Sequence, residues 1–394
     1  MNEQNIVPLR TIFFAFLKVG MTAYGMAILQ KLRPLVINQG WLTESEVNEG
    51  LAMVQLYPGP IMMDFTAYVG YKLRGVPGAI LASVGFLLPG FTLIVLLSAA
   101  YFAGGDFPWL KSLFLGVEAM VVGILANVIL DLGAKTIKGR VEGIIAVAAF
   151  IAMLFKVNAI IIPLVALVVG ALVISPKDKG GTKIPLQPVL PISTRRLIAI
   201  AAVSATVLTA AFLSWKLHTD IGNLTLSLFK IGSIAFGSGM GIISIMQTEV
   251  VQIHNWVSQR EFMDGLAIGQ IAPGPILITA TFIGYKLGGV IGAVMATFAI
   301  FSPSFVMTLA FTEVMGRTGR RKWVQSALAG VLAAFVGLLI ATFLSLSGST
   351  LHGPQMYALA AGAFVATRYF ILGDVAVYAI GLAVWSVLML AGLV

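Results

Sequence analysis

Two stretches of the chain, WLTESEVNEGLAMVQLYPGP at 41–60 and WVSQREFMDGLAIGQIAPGP at 256–275, are versions of one sequence. Nine of the twenty positions are identical: Trp41/Trp256, Glu46/Glu261, Gly50/Gly265, Leu51/Leu266, Ala52/Ala267, Gln55/Gln270 and the Pro-Gly-Pro at 58–60 and 273–275. The correspondence extends in both directions. FLKVGMTAYG at 16–25 aligns with LFKIGSIAFG at 228–237, and Gly-Tyr-Lys-Leu at 70–73 recurs at 284–287. Gly78-Ala79 returns as Gly292-Ala293, Pro89 as Pro303, and Trp109 with Gly116-Val117 as Trp323 with Gly330-Val331. Apolar helices resemble one another by chance in Leu, Val and Ala, not in Lys, Gln, Trp and Pro-Gly-Pro in order. The chain is read as two homologous halves, 1–175 and 220–394, joined at 176–219 by a linker and one connecting span.

Composition decides the solvent. Of the 394 residues, 59% are apolar and 10% charged, against about 25% charged in a soluble domain. So few charges cannot coat a soluble protein of this length. A soluble enzyme and a nucleic-acid binder are therefore excluded, although the net charge is +9. An excess of Lys and Arg on such a chain reflects loops on the cytoplasmic side. Disorder is excluded by the same numbers. There is no Cys, hence no disulfide framework, thiol catalysis or Cys-based metal site.

A spanning helix needs about 20 mostly apolar residues. The apolar runs predict spans at 11–31, 68–88, 90–104, 111–133, 143–157, 159–174, 197–216, 224–246, 282–301, 303–316, 323–346, 356–372 and 374–392. The apolar segments 48–66 and 263–281 are each interrupted by Pro-Gly-Pro and read as pairs of half-helices. The fold class expected is an all-α integral membrane protein with 6+1+6 spans and broken Pro-Gly-Pro half-helices. Between the halves, Ser175–Arg196 carries Lys177, Lys179, Lys183, Arg195 and Arg196 against Asp178, a cytoplasmic linker by the positive-inside rule. Loop charge also orients the halves. The loop 103–110 has no Lys or Arg, while its counterpart before Trp323 carries Arg317, Arg320, Arg321 and Lys322. Conversely, 134–142 carries Lys135, Lys138 and Arg140, and its counterpart at 348–355 carries none. The reversed bias predicts an inverted repeat, with a parallel repeat as the alternative.

Inverted repeats with broken helices near the bilayer midplane are the architecture of secondary transporters. Pro60 and Pro275 lack an N–H, and Gly59 and Gly274 lack side-chain bulk, so the helix must break at each. The freed backbone groups survive at membrane depth only when buried in protein or lining a wet cavity. A half-helix starting there aims a positive dipole end at the cavity. The plainer reading is a kink tolerated by packing. Lys18 and Lys230 are equivalent positions within apolar segments, each followed by a glycine (Gly20, Gly232). They either face an anion or snorkel to the interface. Tyr71 and Tyr285 read as interface anchors whose hydroxyls are also within reach of a substrate. Two lysines, two half-helix N-termini and the amides of Gln55 and Gln270 suit a small divalent oxyanion. The intramembrane acids Asp64 and Glu118 are not duplicated, since Thr279 and Leu332 occupy the equivalent positions; each is either a proton carrier or held in a local salt bridge or hydrogen bond.

Together these motifs resemble the chromate ion transporter family, over nearly the whole chain. The resemblance rests on Phe16 and Lys18 through Gly20, Tyr24 and Gly25, with their counterparts Phe229, Lys230, Gly232, Phe236 and Gly237. It rests also on Gln55 with Pro58-Gly59-Pro60 and Gln270 with Pro273-Gly274-Pro275, on the Gly-Tyr pairs, and on the Pro89 and Pro303 segments. It implies a long-chain, two-domain member that exports chromate across the bacterial inner membrane, driven by the proton motive force, with these residues around the anion. One departure is Tyr24-Gly25-Met26 where the family pattern suggests Phe-Gly-Gly. A sulfate-type importer or exchanger and an anion channel are the alternatives. His218, His254 and His352 lie in loops without paired acids, which argues against a membrane-embedded enzyme. No phosphate-binding loop is present, and no cofactor or metal is expected. The expected partners are a chromate- or sulfate-like oxyanion and the lipid bilayer, with a homodimer left open and no nucleic acid.

Overall fold

The computed structural model describes residues 7–22, 27–55, 57–103, 108–174, 194–217, 219–235, 242–314, 322–370 and 374–391, and these are helical with no strand. Each half opens with short helices. In the first these are α1 (Leu9–Thr22), α2 (Ala27–Asn38) and α3 (Glu44–Met53), followed by the long α4 (Ile61–Ala103). Then come α5 (Pro108–Thr136), α6 (Arg140–Leu154) and α7 (Ile161–Val173). The connecting helix is α8 (Thr194–Leu217). The second half repeats the plan with α9 (Asp220–Ser233), α10 (Ile242–Gln247) running into a π-helical turn (Thr248–Ile253), and α11 (Gln259–Ile271). A 3₁₀ turn (Ile276–Ile278) leads into α12 (Thr279–Val314), α13 (Lys322–Thr350), α14 (Pro354–Arg368) and α15 (Asp374–Leu390). Within α4, α5, α8, α12 and α13 lie segments long and apolar enough to cross a membrane, five among the described residues. This is a multi-pass membrane protein.

The start of each half folds back on itself. Glu46 and Glu261 close equivalent capping boxes on Thr43 and Ser258, which fixes where α3 and α11 begin. The same two acids pair with lysines beyond the Pro-Gly-Pro: Lys72 Nζ is 3.8 Å from Glu46 and Lys286 Nζ is 2.5 Å from Glu261. Gly50 packs on the Tyr68 ring and Gly265 on the Phe282 ring. Segments on either side of each Pro-Gly-Pro therefore lie side by side. α1 and α2 also return, since the Phe16 and Trp41 rings are 6.5 Å apart. In the second half Trp256 Nε1 reaches back to Asp220 at 3.5 Å.

The expected span boundaries need correction here. Spans 68–88 and 90–104 are not separate: the helix continues through Pro89, and the break lies at Arg74 and Gly75 (φ 61°). Likewise 282–301 and 303–316 become one helix through Pro303, with the break at Gly288 and Gly289 (φ 56°). The turn is sharp. Gly70 touches the carbonyl of Gly78, and Gly284 that of Gly292, although residues eight apart in a straight helix are about 12 Å apart. Glycine takes the left-handed φ without strain, so the chain reverses there, while a proline with satisfied neighbours is tolerated within the helix. Nor is 11–31 one straight helix, because the Lys31 ammonium meets the Thr22 carbonyl, out of reach for residues nine apart along a helix; 224–246 is likewise divided, with α9 ending at Ser233 and Ile234 and Ala235 no longer helical. Six separate spans per half do not follow from these helices. The linker at 175–193 and the charged loop at 315–321 lie outside the described residues.

The long second arms of α4 (76–103) and α12 (290–314) pack against each other and run between the two sets of hairpins. Arg74 Nη1 donates to the Val7 carbonyl at 3.0 Å, so the start of α1 and the first turn share one end. At that end Tyr71 meets Glu313, the far tip of α12 (2.7 Å). At the other end Tyr101, near the tip of α4, meets Asp264 of α11 (2.6 Å). The hairpins of the two halves thus sit at opposite ends of the long arms. The remaining helices are exchanged: α5 packs on α14 and α15, and α13 on α6 and α7. Gly123 lies on the Ala360 carbonyl and Gly337 on the Ala146 carbonyl.

Gly20 and Gly232 hold the same kind of contact, against the carbonyls of Phe86 and Ile300, where a Cβ has no room. Gly20→Ala and Gly232→Ala are each expected to cost about 1–3 kcal/mol of stability through overpacking. Gly362→Ala, facing open space on α14, should be neutral or stabilising by up to about 1 kcal/mol. Unfolding in detergent checks the contrast.

Candidate functional site

The two Pro-Gly-Pro segments are buried by the other half of the molecule. Gly59 lies against Ser304, the residue after Pro303 in α12. Gly90, the residue after Pro89 in α4, lies against the carbonyl of Pro273. The packing is crossed: each break rests on the mid-helix proline segment of the opposite half. Tyr57 reinforces the first contact, its hydroxyl donating to Thr308 Oγ1 at 2.8 Å. Gly274 adopts φ 123°, a region open to glycine, which lets the second break turn between two prolines.

The two breaks differ chemically. α4 starts at Ile61, and its first turn carries Asp64, whose backbone N–H donates to Pro60 O at 3.0 Å. The Asp64 carboxyl is completely buried and presses on Gly59, with the Ser304 and Thr308 hydroxyls beside it. The neighbouring Ser304 and Thr308 hydroxyls donate along their own helix, to Phe301 O and Ser304 O. A carboxylate at this helix end interacts favourably with the macrodipole and occupies the place an anion would take. The second break has Thr279 instead, its hydroxyl bonded to Ile276 O at 2.8 Å. Beside that break, between α10, α11 and the 3₁₀ turn, the cavity measures about 10 Å³, the lower limit for one water. A larger cavity of about 460 Å³ between α4, α8 and α12 is walled by Leu87, Val203, Phe301 and Phe305. It holds no charged group and does not suit an anion.

The remaining expected site residues are scattered. Lys18 is exposed, on the face of α1 that carries Phe14 and Met21, both more than half exposed. Lys230 is exposed on α9. Neither is enclosed in a buried pocket. Gly20 and Gly232 serve helix packing. Gln55 is exposed, whereas Gln270 Oε1 accepts from the Tyr378 hydroxyl at 2.7 Å. Pro58 is half-buried; Pro60, Pro273 and Pro275 are buried. Tyr71 is committed to Glu313, which Arg196 of α8 approaches to 3.7 Å. Tyr285 stacks on Phe102 at 6.3 Å between centroids. Tyr24, Gly25, Phe236 and Gly237 lie outside the described residues.

Glu118 is buried away from both breaks, against Asp264 of the second half. Asp264 escaped the sequence reading, although a signal existed. It aligns with Glu49, so an acid precedes the duplicated glycine in both halves. Ser304 and Gly90 were legible only as the residues following the duplicated prolines.

Paired hairpins around two buried backbone breaks, with long apolar helices beside them, define a repeat-built membrane protein of the transporter class. The sequence profile of the Chromate transporter family matches residues 10–173 and 222–393. A chromate transport protein of Pseudomonas aeruginosa is 30% identical over 391 residues, 95% of this chain and 92% of the relative. A second, from Cupriavidus metallidurans, is 30% identical over 345 residues, 84% and 80% of the two chains. An uncharacterised transporter of Methanocaldococcus jannaschii is 32% identical over 347 residues, 86% of this chain and 85% of the relative. No solved structure matches the chain significantly. The chain belongs to the chromate transporter family.

If the Tyr71 hydroxyl serves Glu313 and not the substrate, Tyr71→Phe should lower stability by about 1.5–3 kcal/mol, the range for hydrogen bonds to charged groups. Substrate affinity should stay unchanged. Unfolding in detergent and anion binding on the same sample check both halves of this expectation.

Proposed function

We propose that the protein is a secondary transporter that exports chromate across the bacterial inner membrane, driven by the proton motive force. Its two halves, 1–175 and 220–394, lie inverted in the bilayer, with α8 as the odd crossing. The observation that carries the reading is the crossed packing of the breaks, Gly59 on Ser304 and Pro273 on Gly90. Moving one half against the other shifts the packing at both breaks, as the rocking of repeats in alternating access would. The oxyanion then binds at the exposed half-helix ends, near Pro58-Gly59-Pro60 and Pro273-Gly274-Pro275. Lys18 and Lys230, both exposed, supply positive charge on the approach. Substrate identity follows the named relatives, and proton coupling is assigned to Asp64 and Glu118.

One feature favours a second reading, an oxyanion importer. An ionised Asp64 and a divalent anion at Gly59 repel, so proton and anion load together at the first break. Protons and anions that load together both move inward under the proton motive force. The two readings separate in proteoliposomes. Export by exchange predicts that external acid drives chromate out of loaded vesicles; import predicts that it drives chromate or sulfate in. In either case Asp64→Asn should abolish the response to the pH gradient while leaving downhill flux measurable. Lys18→Ala and Lys230→Ala should each weaken anion binding. Undiminished affinity in both would remove the lysines from the site.

A further inference from the structure

We infer that Glu118 and Asp264 form a proton-binding site between the two halves, in which one hydrogen is shared by two carboxyl groups. Glu118 comes from α5 of the first half and Asp264 from α11 of the second. Both are buried, at 3% and 1% exposure, and their carboxyls lie within hydrogen-bonding reach of each other. Each has one oxygen served by a hydroxyl. Thr350, at the end of α13, donates to Glu118 Oε2 at 3.4 Å. Tyr101, near the end of α4, donates to Asp264 Oδ2 at 2.6 Å. The other two oxygens, Glu118 Oε1 and Asp264 Oδ1, are buried without any donor.

Donor arithmetic then demands a proton. Ionised carboxylates only accept hydrogen bonds, so two of them in contact have nothing to share. With one proton between them, the orphan oxygens are satisfied and the pair bridges α5 to α11. Without it, two like charges meet out of water and push the helices apart. The charged groups facing the pair are Arg260 and Glu261, both on α11 itself. Arg260 is exposed, and Glu261 is held by Lys286. Among the described residues, the pair meets from α4 and α13 only the hydroxyls named above. The site thus makes contact between the halves depend on one proton. This rests on the reading of Glu118 as a proton carrier, but not on which anion is moved.

The test uses the full chain in detergent, in a D64N background so that Asp64 contributes no signal. Infrared difference spectra against pH report protonated carboxyls, and melting temperature reports the bridge. With the bridge intact, a protonated-carboxyl band should be present at low pH and bleach as pH rises, with melting temperature falling over the same interval. E118Q places a permanent N–H₂ donor against Asp264; it should lack the band and lose that part of the pH dependence. D264N should do the same, and serves if E118Q does not fold. Absence of a titrating carboxyl band in the D64N parent would overturn the inference. So would the same band and slope in parent and variants. Absence of chromate flux in the protein with Asp64 intact would count against the proposed function and leave these readouts unaffected.

Discussion

Everything in this molecule follows from the need to bury backbone that no helix can satisfy. Each half contains a Pro-Gly-Pro inside an apolar segment, where water is not available to replace the lost hydrogen bonds. The solution is a crossed embrace. The first break rests on Ser304, the second offers its Pro273 carbonyl to Gly90, and each contact comes from the other half. Neither half can close its own break. The long arms of α4 and α12 must therefore run the full distance between opposite ends, and the later helices are exchanged to cover what is left.

Glycine makes this approach feasible, and it does so in pairs. Gly20 on Phe86 corresponds to Gly232 on Ile300, Gly70 on Gly78 to Gly284 on Gly292, and Gly123 on Ala360 to Gly337 on Ala146. Helix association in lipid depends on close packing, since the bilayer provides little hydrophobic drive. A glycine without a Cβ lets one backbone rest on another. That is why 42 glycines are compatible with so helical a chain.

The chemistry lies where the two halves have diverged. Asp64 fills the first break and Thr279 stands at the second. Glu118 faces Asp264 across the interface, while the position equivalent to Glu118 is Leu332. Duplicated residues build the frame. Asp64 and Glu118, which have no acidic counterpart in the other half, make the two halves chemically unlike.

Much was legible from the residues alone. Repetition of Lys, Gln, Trp and Pro-Gly-Pro in order revealed two halves, and the scarcity of charge placed them in lipid. Helices α5, α8, α13 and α15 fall close to the apolar runs because length and hydropathy settle a simple crossing. Where a helix reverses was not legible. Pro89 and Pro303 look like stronger breakers than Gly75 and Gly289, yet the chain turns at the glycines, since neighbours from the other half support the prolines. Lys18 stands out by its charge in an apolar run, but its exposed side follows from which face of α1 meets α4. Asp264 was hidden because an acid two turns before a break looks like an ordinary polar residue of a helix until α5 brings Glu118 to it. The sequence by itself determined the solvent, the duplication and the places where the backbone cannot stay helical, because these depend on local composition. Only the tertiary structure decided which half buries which break and which acids meet, because those contacts join residues far apart in the chain.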